Sequence, residues 1–212
     1  MVLKEKIITF GSFYNVSRET IDILEKYEKI LIRDSKSLNL IGKSTFNQIW
    51  NRHFLDSFQV IDYIDKNDKV LTDIGSGAGF PGLVLAIAAA EKKMNIKINL
   101  IDKSLKKTEF LKNIILELKL NVDVICTNIM DEKKKITGNV FTARAFKPLP
   151  LILKFIYEKV DNFNKFFVFL GKTGKQELLQ VSKSWDIKYK QRMSVTSNDS
   201  FILEINSLKK KN

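Results

Sequence analysis

Between residues 16 and 31 the apolar positions Ile21, Leu24, Tyr27, Ile30 and Leu31 fall three and four apart, with Lys and Glu between them. That spacing predicts an amphipathic helix, and Ser17 is placed to cap its start. Residues 45–63 repeat the pattern, with Ile49, Trp50, His53, Phe54, Ser57, Phe58 and Ile61 on one side. A loop around residues 39–42 joins the two helices. After about residue 65 the period changes. Short apolar runs at 70–74, 96–101, 122–126, 139–143 and 166–170 predict strands, and helices are predicted at 81–90, 105–120, 149–160 and 175–184. Residues 185–195 and 200–206 read as two late strands. Strands joined by helices of this length predict a doubly wound, mostly parallel α/β sheet. The last two strands are able to pair as a hairpin, which adds an antiparallel strand at one edge. The chain therefore divides into a helical N-terminal cap, 1–64, and a Rossmann-like domain, 65–212.

Composition narrows the function. Of 212 residues, 44% are hydrophobic and 28% charged, an ordinary globular balance. The longest nearly uncharged apolar stretch, 80–90, is far short of the ~20 residues that span a bilayer. The first six residues, Met1-Val-Leu-Lys-Glu-Lys6, lack the shape of a secretory signal. A cytoplasmic protein with no membrane partner is expected. Cys126 is the one cysteine and His53 the one histidine. This excludes an internal disulfide, a Cys-rich zinc site and a His-rich metal centre, so no metal is expected. Cys126, within an apolar strand, reads as a core residue. The formal net charge is +12 with a pI near 9.6. Such an excess attracts phosphate and favours an acidic partner such as RNA. Only five of the basic residues are Arg, so a Lys-coated solvated surface is the alternative. Lys133-Lys-Lys135 and Lys209-Lys-Lys211 read as solvated runs able to add phosphate contacts.

Glycine is concentrated in one place. The segment Asp73-Ile-Gly-Ser-Gly-Ala-Gly-Phe-Pro-Gly82 follows a predicted strand and precedes a predicted helix. Its glycines permit positive φ and close approach of a ligand to the backbone, and the following helix offers unpaired N–H groups. In open α/β sheets this is the ligand-binding end. Gly77-Ala-Gly-Phe-Pro-Gly82 fits the dinucleotide pattern G-x-G-x-x-G, with Asp102 after the second strand available for a ribose. The same layout serves S-adenosylmethionine. Asp73, two residues before Gly75, extends the motif to D-x-G-x-G-x-G. Pro81 delays the helix and broadens the loop, and the chain ends in a reversed hairpin. All three features favour the methyl donor.

Asn39-Leu-Ile41, Arg52-His-Phe-Leu-Asp-Ser57, the glycine segment 73–82, Leu100-Ile-Asp-Lys-Ser104 with Lys107, Phe110 and Leu111, and Thr142-Ala-Arg-Ala145 occur in that order. Together they resemble the small-subunit ribosomal RNA methyltransferase G family, also called glucose-inhibited division protein B, over about residues 25–205. The resemblance implies a class I methyltransferase fold with a helical cap. It also implies transfer of a methyl group from S-adenosylmethionine to N7 of a guanine in 16S rRNA, in the 530-loop region of the small ribosomal subunit. It carries cofactor contacts onto Gly75, Phe80, Ile129, Met130 and Arg144, beside Asp73, Gly77, Gly79 and Asp102 from the loop itself. Two positions depart from the family pattern. Met130 stands where an acidic residue is usual, with Asp131 adjacent. Leu170-Gly-Lys172 replaces L-K-G, which displaces the lysine.

The chemistry agrees. Guanine N7 carries a free lone pair at neutral pH, so its methylation requires positioning and no general base. Pyrimidine C5 methylation requires a cysteine nucleophile. Amino-group methylation usually shows an Asn/Asp-Pro-Pro-aromatic segment, where this chain has Ala143-Arg-Ala-Phe-Lys-Pro148. Arg144 has the planar fork suited to a carboxylate or to guanine O6 and phosphate, and Phe146 either stacks on the base or packs in the core. Arg52, His53 and Asp56 share one helix. They read either as a surface Arg52–Asp56 pair beside a core histidine, or as a lid over the cofactor cleft. A monomer acting on 16S rRNA or the small subunit is expected. The remaining readings are an NAD-type oxidoreductase and a non-enzymatic RNA-binding ribosome assembly factor.

Overall fold

The computed structural model describes residues 8, 10–133 and 135–211. The first residues of the chain and Lys134, the middle of one lysine run, lie outside them. Helix α1, Arg18–Leu38, begins where Ser17 caps it, the hydroxyl accepting from Thr20 N. It ends at Asn39 in the left-handed conformation, a usual helix stop. The second predicted helix is a helical segment of mixed type. A 3₁₀ turn, Lys43–Gln48, leads into a π-helical stretch, Ile49–Leu55, then one α turn, Asp56–Phe58, and a second 3₁₀ turn, Gln59–Tyr63. The wider π turn sinks Ile49, Trp50, Phe54 and Leu55 into the core and leaves Arg52 exposed.

The sheet has seven strands: β1 Val70–Ile74, β2 Lys97–Asp102, β3 Val122–Cys126, β4 Val140–Arg144, β5 Lys165–Leu170, β6 Trp185–Met193 and β7 Phe201–Lys210. Their order is β3-β2-β1-β4-β5-β7-β6. Strands β1 to β5 pair in parallel, and β7 is antiparallel to both neighbours. The antiparallel strand was expected at an edge. Instead β7 is inserted between β5 and β6. Phe201, Ile202, Leu203 and Ile205 of β7 are buried, so both its faces require cover. β6 carries Lys188, Lys190 and Arg192 and is largely exposed, as an edge strand must be. Two short strands, Ile136–Thr137 and Val160–Asp161, pair separately.

Helices α2 Gly82–Glu91, α3 Leu105–Leu118, α4 Leu149–Lys159 and α5 Gly174–Val181 complete the layers. One apolar cluster joins α1 and the 43–63 segment to α2, α3 and one face of the sheet. The other joins α4 and α5 to the opposite face. Residues 18–63 thus share a core with the sheet. Tyr27 of α1 is the link to the glycine loop. It is fully buried against Phe54 and Phe80, and its hydroxyl donates to Ala78 O at 2.6 Å. Cys126 on β3 is exposed, not a core residue as its apolar run implied, because β3 is the other edge of the sheet.

Candidate functional site

β1, β2 and β4 are neighbours, so their carboxyl ends bring the glycine loop, Asp102 and Arg144 to the same end of the sheet. After β1 the backbone turns sharply, and the N–H groups of Gly75 and Ser76 both donate to Ile101 O, at 2.8 and 3.0 Å. Gly75, Gly77 and Gly79 have φ of 72°, 56° and 100°, a region open chiefly to glycine. A Cβ at Gly79 would stand 2.5 Å from the Tyr27 hydroxyl. At Gly77 the nearest atom would be 3.8 Å away. The loop is therefore packed from below at Gly79 and open at Gly77, and Gly75 and Gly77 are its half-exposed residues. Asp102 lies beside the opening. Its Oδ2 accepts from Gly77 N at 2.9 Å and its Oδ1 from Ser104 N at 2.8 Å. An open, glycine-only backbone next to a fixed carboxylate fits a nucleoside ligand, whose ribose hydroxyls donate to the carboxylate.

Asp73 is fully buried beneath the loop. Its Oδ1 accepts from Thr142 Oγ1 at 2.7 Å and its Oδ2 from Gly82 N at 3.1 Å, so a side chain from β1 caps α2. Phe80 joins Pro81 through a cis peptide bond just before that cap. Asp73 thus holds the loop to β4 and has no exposed oxygen for a ligand. Burial pushes its pKa up to about 6, against the hydrogen bonds from Thr142, Ser76 and Gly82. A carboxylate whose folded pKa is raised contributes stability below its unfolded pKa, near 4, and that contribution is lost as pH rises through about 6. Relative to Asp73→Asn, the wild-type protein is expected to lose stability between pH 4 and pH 6.5. Denaturant unfolding of both at several pH values checks this, and parallel pH curves would contradict it.

Arg144 ends β4. One NH2 donates to Arg52 O at 2.6 Å and stands 3.3 Å from Asp56 Oδ2, NH1 donates to Ser57 Oγ at 3.4 Å, and the guanidinium lies over the Phe169 ring. Burial pulls its pKa down and Asp56 opposes that shift; an arginine so paired remains charged. Asp56 is 9% exposed. The surface Arg52–Asp56 pair weighed from the sequence is thus replaced by a half-buried Arg144–Asp56 pair. His53 stacks on Phe80, with ring centroids 4.8 Å apart. Thr45 Oγ1 donates to Gly42 O at 2.7 Å, so it accepts from His53 Nε2, 3.2 Å away. His53 Nδ1 is buried with no partner among the described residues. Burial, then Arg144 and Arg52, pull the pKa down to about 3. The imidazole is neutral at physiological pH.

Between the 43–63 segment, the ends of β4 and β5, and the loop from β6 to β7 lies a cleft of about 760 Å³. Arg52, His53, Asp56, Arg144 and Lys172 line it, together with Ser194 and Thr196. Gly75, Gly77 and Asp102 lie outside it, so the site has two parts, adjoining at Arg144 and Phe146. Phe146 packs over Gly75, where a Cβ would meet its ring at 2.5 Å. Ile129 is buried in the α4-side core, and Met130, partly buried, packs against it with its N–H 3.4 Å from Asn128 Oδ1. Lys172 is 84% exposed and 3.7 Å from Asp199. Among the described residues, none from either lysine run lines the cleft. Lys209 and Lys210 end β7, opposite the start of β6, and Lys135, paired to Asp161, leads into the amino end of the sheet. Sequence reasoning missed Gln59, Ser194 and Thr196 as site residues.

The chain was compared with known proteins. The family model described as rRNA small subunit methyltransferase G matches residues 20–204. The ribosomal RNA small subunit methyltransferase G of Pelagibacter ubique is 38% identical over 200 residues, covering 93% of each chain. That of Rickettsia felis is 36% identical over 195 residues, covering 92% of this chain and 97% of its own. Among solved structures, M. capricolum TrmK in complex with S-adenosyl-homocysteine superposes with a TM-score of 0.52 at 18% identity, covering 71% of this chain and 66% of its own. A SAM-dependent methyltransferase from Aquifex aeolicus gives 0.56 at 13%, covering 84% and 97%. These likenesses establish the fold as that of class I methyltransferases.

Proposed function

The chain belongs to the rRNA small subunit methyltransferase G family, and from that premise we propose that it methylates N7 of a guanine in 16S rRNA, in the 530-loop region. It is an S-adenosylmethionine-dependent rRNA methyltransferase; the base, the atom and the site are our reading. The family decides between the two cofactors left open by the glycine motif, and the NAD-type oxidoreductase and the non-enzymatic assembly factor fall away. The observation that carries the choice of atom is the absence of a free base among the described residues lining the cleft. Asp56 is saturated by Arg144, Ser194 and Gln59. Asp199 is paired to Lys172. His53 is neutral, with its lone-pair nitrogen enclosed. Cys126 is on the far edge strand. Such a cleft suits an acceptor atom that has no proton to lose, as guanine N7 does.

S-adenosylmethionine, when bound, supplies an electrophilic methyl group. The half-exposed backbone of Gly75 and Gly77 and the Asp102 carboxylate would hold its nucleoside part. Asp73, Gly79 and Phe80 shape the loop from below, and Ile129 and Met130 bound the adenine side. Arg144 has five N–H donors, three of them committed to Arg52 O, Asp56 and Ser57. The other two remain for guanine O6, which leaves N7 free to attack. Phe146 offers a face for the base, which must be unstacked to enter, costing a few kcal/mol. The 1–64 segment acts as a cap over the cleft through Arg52, His53 and Asp56, and Lys172 meets phosphate at its rim. We take the protein to act as a cytoplasmic monomer on the small subunit, without metal. Among the described residues, no helix is long and apolar enough to cross a membrane and no metal-ligand cluster forms. Calorimetric titration tests the cofactor half: S-adenosylmethionine binds and NADH does not. NADH binding in its place would overturn it.

A further inference from the structure

The loop between β6 and β7, residues 194–200, has no part in the family motifs, yet it forms one wall of the cleft. Three of its groups are tied to the cap. Ser194 Oγ donates to Asp56 Oδ1 at 2.8 Å, Thr196 Oγ1 stands 3.2 Å from that oxygen and 3.0 Å from Ser194 Oγ, and Val195 N donates to Gln59 Oε1 at 3.2 Å. Gln59 Nε2 donates to the same Asp56 Oδ1 at 2.9 Å. Oδ1 is therefore filled by neutral donors from the loop and from Gln59. Oδ2 is left for the Arg144 guanidinium at 3.3 Å. The torsion that orients an aspartate's oxygens is broad, and with Oδ1 pinned Oδ2 keeps a fixed direction. The arginine takes its orientation from that oxygen, from Arg52 O and from Ser57.

We propose that Ser194 and Thr196 are positioning residues for methyl transfer, holding Arg144 in its working orientation through Asp56. The inference rests on the reading of Arg144 as the arginine beside the target base. It assigns the β6–β7 loop a role that its polar, unremarked sequence does not announce. Loss of the two hydroxyls leaves Oδ1 held by Gln59 alone, so the carboxylate is less firmly fixed and the fork of Arg144 drifts from the acceptor. Misplacement by a fraction of an ångström to 1 Å lowers turnover without removing any group that touches substrate.

The test uses the full chain, methyl-labelled S-adenosylmethionine and small ribosomal subunits lacking the modification, at a temperature where circular dichroism shows every variant folded. Ser194→Ala with Thr196→Val is expected to lower kcat about tenfold, with KM for the subunit and cofactor affinity within about twofold of wild type. Ser194→Thr with Thr196→Ser, which keeps both hydroxyls, restores kcat. In an Arg144→Ala background the same double substitution causes no further loss, because residues that act through one group are not additive. Should the double variant unfold, Ser194→Ala alone carries the test, at about threefold. An unchanged kcat, or an undiminished loss in the Arg144→Ala background, would overturn the inference while leaving the methyltransferase reading intact. A wild-type protein that transfers no label to the subunit would take down both.

Discussion

Arg144→Ala is expected to lower kcat for methyl transfer about 100-fold while the protein remains folded at 25 °C. Among the described residues, the guanidinium is the one cation held both at a strand end and in the cleft, with three N–H groups anchored and two unspent. Removing it deletes the donors proposed to meet the guanine and leaves Asp56 Oδ2 without its charge partner. Asp56 still accepts from Gln59 and Ser194, so the cost in stability is expected at about 1–3 kcal/mol, well short of unfolding. Arg144→Lys keeps the charge but not the fork, and intermediate turnover is expected. Single-turnover kinetics beside a denaturant melt separate the two effects. Turnover that falls only in proportion to the folded fraction would show that the arginine is structural.

Asp102→Ala is expected to weaken S-adenosylmethionine binding about 50-fold, the worth of one or two hydrogen bonds to a charged group. The loss has two sources. The carboxylate is the proposed acceptor for ribose hydroxyls, and it also holds Gly77 N and Ser104 N, so the loop and the start of α3 loosen together. Asp102→Asn, which keeps one acceptor oxygen, is expected to lose less. Calorimetric dissociation constants check the series. Wild-type affinity in Asp102→Ala would remove the carboxylate from the cofactor site.

Much of the fold was legible because it rests on local signals. Short apolar runs between turns located the five parallel strands to within a residue or two. Ser17 marked its helix start, and four glycines marked the turn after β1. The parts that were not legible depend on partners distant along the chain. The 45–63 pattern shows helical periodicity, but it does not distinguish α from π turns; Trp50, Phe54 and Phe58 set the winding by where they pack. Asp56 has an arginine four residues before it, which suggested a local pair, and its actual partner lies on β4. Cys126 sits in an apolar run whose edge position only the sheet order reveals. Asp73 matched a cofactor motif, and burial gives it a different task, capping α2 from the strand. Ser194 and Thr196 are common residues in a polar loop, and no spacing in the sequence separates them from their neighbours.

The most direct test of the account is the identity of the methylated nucleoside. The protein is incubated with methyl-labelled S-adenosylmethionine and small subunits from cells lacking the endogenous modification. The rRNA is then digested to nucleosides and separated. The account predicts label in 7-methylguanosine, from one site. Label in a methylated pyrimidine or in an amino-methylated base would keep the fold and contradict the base-free cleft as the basis of the chemistry.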